Sequence, residues 1–366
     1  MIEFKIDLGS VSYPVIIGSG ILKTLMEHID ILSPTGSVVI LIDETVAELY
    51  AGQLEVWREA GRVKIYVIPG GKNNKSFYAA LKIFEFLDFN NISRDSTIVA
   101  IGGGVVGDMA GFVASCWYRG VRLIHIPTTL LSAVDSCVGG KTAINFRSTV
   151  NAVGTYHHPC GILIDKDLML SLPKREISSG FGEIIKYSRI GADHITKLLE
   201  QGGIEKLDQI DVLIKYSLQE KEKFVHDDIG ELGNRLYLNF GHTIGHAIEF
   251  STVFNGEETL RHGEGVGLGM LAIFRISEKL GFLDNLHIKN LQETLVKYGL
   301  PISIKSEDYG IDRKNLVQRI IDLCFKDKKR TSTDLRLILT DRNFDPFIYK
   351  TSDKELIRHG VLEVVE

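Results

Sequence analysis

The first 130 or so residues alternate strongly apolar, β-branched runs with longer segments of helical periodicity, and this alternation constrains the fold most. Several of the runs are apolar on both faces, so they predict strands covered by helices on both sides of a sheet. That arrangement is typical of a parallel, doubly wound α/β fold. The predicted strands are residues 13–18, 38–43, 63–68, 97–101 and 121–126, and the helices between them include 45–61 and 76–89.

The pattern changes after Leu172-Pro173, because nearly every later segment is helical. The later helices are predicted at 176–191, 210–224, 243–250, 263–280 and 314–324, with one strand near 335–339. The sequence therefore predicts an N-terminal nucleotide-binding α/β domain, residues 1–173, and a mainly helical domain, residues 174–366. The active site is expected in the cleft between them.

The charge balance excludes several classes of protein. The 366 residues carry 42 Lys and Arg against 47 Asp and Glu, a formal net charge of -5, which argues against a nucleic-acid partner. No stretch approaches the roughly 18 apolar residues of a membrane span, and the N-terminus lacks the pattern of a signal peptide. The four cysteines form no C-x-x-C pair and are expected to be reduced thiols. These features predict a cytoplasmic protein without a membrane partner.

A glycine-rich turn, Gly102-Gly103-Gly104-Val105-Val106-Gly107-Asp108, follows the predicted strand 97–101. It matches G-x-G-x-x-G, in which glycines let a pyrophosphate approach a helix N-terminus. No acidic residue stands about 20 residues later, so an ordinary Rossmann site is not expected, and the glycines could simply pack a helix on a strand.

Two further features follow predicted strands. Gly70 and Gly71 open a polar run that ends at Lys75, which fits either a phosphate or ribose contact or an exposed turn. Asp43 could accept a hydrogen bond from a ribose hydroxyl or cap the next helix.

Histidines provide the clearest chemical pattern. His242 and His246 are four residues apart in a predicted helix and so share one face, as in divalent-metal sites. His262 is a third candidate, and Glu183 is predicted to open a helix with Lys186 one turn on. Three ligands from this set with an open position would form a catalytic zinc-type centre, whereas each histidine alone also fits a hydrogen-bonded core residue.

Basic residues recur on the glycine- and histidine-bearing segments of this acidic protein, which suggests an anionic substrate. The run 326–330 by itself also fits a solvated surface. The residues are Arg119, Lys141, Lys186, Lys221, Arg235, Lys328 and Lys329.

Taken in order, six motifs resemble those of the 3-dehydroquinate synthases, within the sugar-phosphate cyclase family, and the resemblance covers nearly the whole chain. The motifs are the glycine-rich turn 102–108, Pro-Thr-Thr-Leu-Leu at 127–131, Asp-Ser-Cys-Val-Gly-Gly-Lys-Thr-Ala-Ile-Asn at 135–145, Glu-Ile-Ile-Lys-Tyr at 183–187, residues 238–249 and Asp-Lys-Lys at 327–329.

The resemblance implies an NAD-binding α/β domain, a helical domain that binds metal and substrate, and a homodimer. The expected reaction converts 3-deoxy-D-arabino-heptulosonate 7-phosphate to 3-dehydroquinate and phosphate through transient NAD oxidation, elimination, reduction and aldol closure, in the shikimate pathway. Zinc is the expected metal, with cobalt as the alternative.

Roles carry over by motif position. The metal ligands would be Glu183, His242 and His262, with His246 facing the substrate. The other substrate contacts would be Lys141, Asn151, Lys186, Lys221, Arg235, Asn239 and Lys328, with Asp135 nearby and Arg119 supplied by the partner subunit. The NAD contacts would be Asp43, Gly71, Lys72, Lys75, Gly103, Gly104, Val105, Gly107, Asp108, Thr128, Thr129 and Lys141.

Two positions depart from the family pattern, and both concern how NAD is held. Gly70-Gly71-Lys72 stands in place of Asp-Gly-Glu, and Val150-Asn151 in place of Lys-Asn.

Three alternative functions remain open from the sequence. One is a cyclase of secondary metabolism, such as an aminodehydroquinate or 2-epi-5-epi-valiolone synthase. Another is a metal-dependent polyol dehydrogenase, which would release NADH, and the third is a non-catalytic nucleotide-binding paralogue. Lys221, Arg235 and Lys328 favour a carboxylated substrate, and the intact set of metal ligands argues against the paralogue.

Overall fold

The computed structural model describes residues 1–59, 61–71, 74–147, 149–253, 259–326 and 334–366. These group into two compact units. The first contains Met1–Leu172 and Ile210–Ile229, and the second contains Pro173–Gln209 and Gly230–Glu366. Residues 210–229 thus group with the first unit, although they fall inside the predicted domain 174–366. The assignment of binding functions to the two domains stays a prediction.

The first unit is built on a seven-stranded sheet. Its spatial order is β1-β2-β9-β6-β5-β3-β4, with β1 antiparallel to β2 and the other pairs parallel. A separate antiparallel pair is formed by β7 and β8. The strands, numbered in chain order, are β1 Ile2–Asp7, β2 Ser12–Gly18, β3 Val38–Asp43, β4 Val63–Ile68, β5 Thr97–Gly102, β6 Arg122–Pro127, β7 Lys141–Phe146, β8 Thr149–Tyr156 and β9 Gly161–Asp165.

The central strands are buried along nearly their whole length, as their apolar sequences predict. Every residue of β5 and all but the last of β3 are buried. The helices of this unit are α1 Leu25–Leu32, α2 Glu44–Leu49, α3 Ala51–Glu59, α4 Phe77–Phe89, α5 Gly104–Cys116, α6 Lys166–Leu170 and α9 Ile210–Val225. The predicted α/β class with a parallel sheet is confirmed.

The prediction of one helix over 45–61 is wrong, because the chain leaves helical geometry at Tyr50 (φ -116°, ψ 28°) and forms α2 and α3. Asp43 caps α2, where its carboxylate accepts hydrogen bonds from the backbone N–H groups of Thr45 and Val46. This cap is one of the two roles that its position suggested.

The second unit is mainly helical. Its helices are α7 Lys174–Ser188, α8 Asp193–Gln201, α10 His242–Ser251, α11 His262–Lys279, α12 Asn285–Lys297, α13 Arg313–Lys326 and α14 Lys354–Val361. The late strand is β10 Leu335–Thr340, which pairs with a strand that the sequence pattern did not predict, β11 Pro346–Thr351. None of the described helices is long and apolar enough to cross a membrane.

Glycines bring α7, α10 and α11 into backbone contact. A Cβ placed on Gly263 would lie 1.8 Å from the carbonyl oxygen of Ser179, and one on Gly269 would lie 2.0 Å from that of Gly241. Such distances are far inside van der Waals contact, so no side chain fits there without movement of a backbone. The same three helices carry the predicted metal ligands.

Candidate active site

Four side chains of the second unit converge in one cluster. The ligand atoms of His242, His246 and His262 lie within 4.8 Å of one another. Oε1 of Glu183 lies 3.3 Å from Nε2 of both His242 and His262. The structure therefore brings the predicted ligands Glu183, His242 and His262 together, with His246 beside them.

Two of these side chains stand at the first residue of a helix, and a third lies one helical turn further along. His242 and His262 are the first residues of α10 and α11, and His246 follows one turn later. Gly241 precedes α10 with φ 76°, where a Cβ would lie 2.8 Å from Cγ of Met270. The expectation that Glu183 opens a helix is wrong, because α7 begins at Lys174 and Glu183 lies in its second half.

The outward nitrogens of two imidazoles face oxygen atoms of the protein. Nδ1 of His242 lies 3.0 Å from the carbonyl oxygen of Phe240, and Nδ1 of His262 lies 3.3 Å from Oε1 of Glu249. Each ring is thus turned so that its Nε2 faces Glu183. Sequence reasoning missed Glu249, although it shares a helix face with the pair, three residues after His246.

The charges in the cluster are strongly coupled. Glu183 is fully buried and forms a 2.5 Å ion pair with Lys186, which is 1% exposed. Burial alone would raise the pKa of the Glu183 carboxyl, but Lys186, His242 and His262 hold that pKa well below its usual range. The cluster therefore contains a carboxylate ion inside the protein.

The two remaining histidines differ in protonation. Burial lowers the pKa of His262, yet the adjacent carboxylates of Glu183 and Glu249 outweigh that effect and raise the pKa to about 10. Desolvation, followed by the neighbouring imidazoles, lowers the pKa of His246 to about 4. The exposed side of His246 moderates this shift, and the ring is neutral at pH 7.

This donor set fits a divalent metal ion. Imidazole nitrogens and a carboxylate are the ligands that Zn²⁺ takes in catalytic sites, which keep one position open. Lys186 pairs with Oε2 of Glu183, while Oε1 faces the two imidazole nitrogens and is the oxygen that a metal ion would share with them.

Two polar side chains predicted to bind substrate lie in the same unit. Arg235, in the 3₁₀ helix Asn234–Asn239, is 2% exposed. Asn239 ends that helix, and its amide donates to Oε1 of Glu231 at 3.0 Å. A buried guanidinium is the group best suited to bind a carboxylate or phosphate in two-point contact. The predicted ligand Lys328 lies outside the described residues.

In the first unit, most of the predicted NAD contacts lie at the carboxyl ends of neighbouring strands. Asp43 ends β3, Gly103 follows β5 and Thr128 follows β6. These strands are parallel and adjacent in the order β6-β5-β3, so their carboxyl ends meet at the same edge of the sheet. In open α/β sheets, ligands bind at that edge.

The glycine-rich turn leads directly into α5. Gly103 caps this helix, and a Cβ on it would lie 3.2 Å from Cγ2 of Thr129. Gly104, Val105, Gly107 and Asp108 form the first turns of α5. The backbone N–H groups at the start of a 13-residue helix, with little side-chain bulk around them, suit a phosphate group. The packing role of these glycines is present as well, because Gly102 and Gly107 lie against Val106 and His125.

Lys75 links three segments of this unit. Its ammonium donates hydrogen bonds to Asp108 in α5 and to Oδ1 of Asn151 in β8, and it is 7% exposed. Burial raises the pKa of the Asp108 carboxyl, and Lys75 offsets part of that effect. Asn145 is a further residue that sequence reasoning missed, and its Oδ1 accepts a hydrogen bond from the backbone N–H of Asn151, whose φ is 52°.

The other predicted residues of this unit are more dispersed. Nζ of Lys221 lies 2.7 Å from the carbonyl oxygen and 3.0 Å from Oδ1 of Asp135. Lys141 starts β7 with an exposed side chain, and Arg119 is exposed after α5 with φ 64°. Gly71 occupies an exposed turn with φ 96°, while Lys72 lies outside the described residues.

Comparison with known proteins identifies the family. The profile of the 3-dehydroquinate synthase N-terminal domain matches residues 65–179, and that of the C-terminal domain matches residues 180–330. A 3-dehydroquinate synthase of Streptococcus pneumoniae is 37% identical over 359 residues, 97% of this chain and 98% of that protein. The chain belongs to the 3-dehydroquinate synthase family. The predicted family and its synthase function are thereby confirmed.

Solved structures of related cyclases share the fold. A 2-deoxy-scyllo-inosose synthase, in complex with carbaglucose-6-phosphate, NAD⁺ and Co²⁺, superposes with a TM-score of 0.84 over 99% of this chain and all of that one, at 24% identity. A 2-epi-5-epi-valiolone synthase from Streptomyces hygroscopicus, with NAD⁺ and Zn²⁺, gives 0.82 over 97% of both chains, at 23% identity. At this identity the likeness shows the fold alone, which is the fold predicted from the 3-dehydroquinate synthase motifs.

Proposed function

We propose that this member of the 3-dehydroquinate synthase family uses NAD and a divalent metal, with zinc as the first choice and cobalt as the second. The substrate would be 3-deoxy-D-arabino-heptulosonate 7-phosphate, which yields 3-dehydroquinate and phosphate. The convergence of Glu183, His242, His246 and His262 carries the proposal. The related cyclase structures contain NAD⁺ with Co²⁺ or Zn²⁺, which supports both cofactors.

The metal is assigned to Nε2 of His242, Nε2 of His262 and the carboxylate of Glu183. When bound, the cation would make a substrate hydroxyl more acidic, and NAD would accept a hydride and return it. Lys186 keeps Glu183 ionised, so the carboxylate is ready as a ligand. His246, neutral at pH 7, is assigned to receive a proton on a ring nitrogen from the substrate side.

The remaining roles stay as the family motifs assign them. Arg235 would bind the substrate carboxylate, because its side chain is buried and its planar guanidinium can contact both carboxylate oxygens at once. NAD is assigned to the first unit, with its pyrophosphate at the N-terminus of α5 and its ribose near Asp43. Lys141, Asn151, Lys221 and Asp135 stay predicted substrate contacts of that unit.

The proposal includes a homodimer in which Arg119 of each subunit serves the other. Strand β8 supports it, because seven of its eight residues are exposed and it has only one described sheet partner, β7. Val150 and Tyr156 on this strand are 49% and 46% exposed. An exposed strand with apolar side chains commonly pairs with another chain.

Phosphate release tests the function most simply. The purified protein, with NAD and Zn²⁺, is expected to release phosphate from 3-deoxy-D-arabino-heptulosonate 7-phosphate without net accumulation of NADH. Continuous NADH formation with no phosphate would contradict the synthase and favour the polyol dehydrogenase alternative.

Arg235 should distinguish the carboxylated substrate from sugar phosphates that lack a carboxylate. Arg235→Ala should raise the KM for the heptulosonate by roughly 100-fold, because a charge-assisted pair of about 3 kcal/mol is lost, and should change little for sedoheptulose 7-phosphate. Arg358→Ala, which removes an arginine paired with the exposed Glu355, is the control and should leave both KM values unchanged. Equal losses for both substrates would remove Arg235 from the carboxylate site.

A further inference from the structure

The imidazole of His262 lies between two carboxylates. On its inner side Nε2 is 3.3 Å from Oε1 of Glu183, and on its outer side Nδ1 is 3.3 Å from Oε1 of Glu249. The inner carboxylate belongs to the proposed metal site. The outer one has no role in the function described so far.

His242 shows what the outer contact does. Its Nε2 is also 3.3 Å from Oε1 of Glu183, and its Nδ1 lies 3.0 Å from the carbonyl oxygen of Phe240. Both rings therefore present Nε2 to the same carboxylate oxygen, and an acceptor oxygen lies beside each Nδ1. Glu249 occupies for His262 the position that a backbone carbonyl occupies for His242.

The side chain of Glu249 is partly buried and packs against a glycine of the neighbouring helix. Its side chain is 14% exposed, and Oε1 is buried without a hydrogen bond of good geometry to any described residue. It faces Gly265 in α11, where a Cβ would lie 2.5 Å from Oε1. Any side chain at 265 would displace the carboxylate, so a glycine there leaves room for Glu249 to reach across from α10.

We propose that Glu249 is a positioning residue for the metal site, which accepts the Nδ1 proton of His262 and thereby directs Nε2 to the metal. Carboxylates that hold a ligating histidine in this way fix its tautomer and increase its basicity as a ligand, and their loss typically lowers metal affinity by roughly 10- to 100-fold. The inference rests on the proposed function, because it needs the metal at Nε2.

The test measures metal binding by the full-length protein without substrate. Co²⁺ is titrated into chelator-stripped protein, its visible absorption is recorded, and the Zn²⁺ affinity is obtained by competition with a chromophoric chelator. Glu249→Ala is expected to weaken Zn²⁺ by roughly 10- to 100-fold and to alter the Co²⁺ spectrum. Glu249→Gln keeps the volume and one acceptor oxygen but not the charge, so its loss should be smaller.

Glu363→Gln is the matched control. Glu363 belongs to the same unit, has an 18% exposed side chain and pairs with Arg275. Its loss should lower stability slightly and leave Zn²⁺ affinity unchanged. Should Glu249→Ala fail to fold, as judged by circular dichroism of the metal-free protein, the Gln variant carries the test.

The outcomes separate the two proposals. If the unaltered protein binds neither metal, both the proposed metal site and the role of Glu249 are contradicted. If the unaltered protein binds Zn²⁺ and both Glu249 variants match its affinity within twofold and its Co²⁺ spectrum, only the role of Glu249 is overturned.

Discussion

The two candidate sites are built in opposite ways. The proposed metal ligands lie on three helices whose backbones touch through glycines, whereas the predicted NAD contacts lie in loops at a sheet edge, in the first turns of α5 and on an exposed hairpin. Helices in contact leave little freedom, so the ligand geometry is fixed before any ligand binds. The residues of the proposed NAD site are joined instead by side-chain contacts, such as those of Lys75 with Asp108 in α5 and Asn151 in β8. We infer that the backbone is more rigid around the proposed metal site than around the proposed NAD site.

Gly263→Ala should have the largest effect on stability. Its Cβ would lie 1.8 Å from a backbone oxygen of α7, so the helices must separate, and we expect a loss of at least about 3 kcal/mol in the free energy of unfolding. Denaturant unfolding measures it. Gly52→Ala in α3 is the control, because a Cβ there would meet no atom within 4 Å beyond its chain neighbours and its own helix backbone. The free energy of unfolding of this variant should rise by about 0.5–1 kcal/mol. Equal effects of the two variants would contradict the idea that close backbone contact holds the helices around the proposed metal site.

The sequence could predict the clustering of the proposed metal ligands better than the contacts within the proposed cofactor site, and the reason is physical. The spacing of His242 and His246 specifies a shared helix face, so local sequence already brings two of the groups together. The contact of Lys75 with Asn151 joins residues 76 apart and depends on the register of β7 and β8. Strand β8 is exposed on both faces and shows no apolar alternation, so the pattern gave no strand there.

Glu249 shows the remaining limit. Its place on the histidine-bearing face could be read from the helix period, but its contact with His262 depends on the closeness of α10 and α11. The two helices are close because glycines lie between them, and the sequence alone does not show which residues those glycines contact. Similarly, α2 and α3 share one apolar period, and only the break at Tyr50 separates them.

The stability of the first unit should depend on pH through His125. This residue of β6 is buried, and desolvation followed by His157 lowers its pKa to about 4. Because an unfolded histidine has a pKa near 6.5, the unfolded state binds more protons between pH 6.5 and 4, and stability falls as the pH is lowered through that window. The loss approaches about 3 kcal/mol at pH 4. Unfolding free energies at several pH values measure it.

His125→Gln provides the comparison for that measurement. The variant lacks the titrating ring, so its stability should fall less steeply between pH 6.5 and 4, even if it is lower at pH 7. Identical slopes for the two proteins would show that His125 is not the group responsible.

The smallest expected effect concerns the departures from the family pattern. Val150 stands where a cation is expected, and Lys72 stands where an acid is expected. We expect Lys72 to compensate, so Val150→Lys should change NAD affinity little and Lys72→Glu should weaken it by about 1 kcal/mol, the scale of one partly exposed charged contact. Calorimetric NAD titrations compare them. NAD binding that is stronger by about 1 kcal/mol in Val150→Lys and unchanged in Lys72→Glu would contradict the idea that Lys72 compensates.

Metal removal tests the central claim most directly. After chelator treatment and removal of the chelator, phosphate release from 3-deoxy-D-arabino-heptulosonate 7-phosphate is measured with NAD present. The account predicts that turnover is abolished and that Zn²⁺ or Co²⁺ restores it, because Glu183, His242 and His262 then regain their cation. Full activity in the metal-free protein would contradict it.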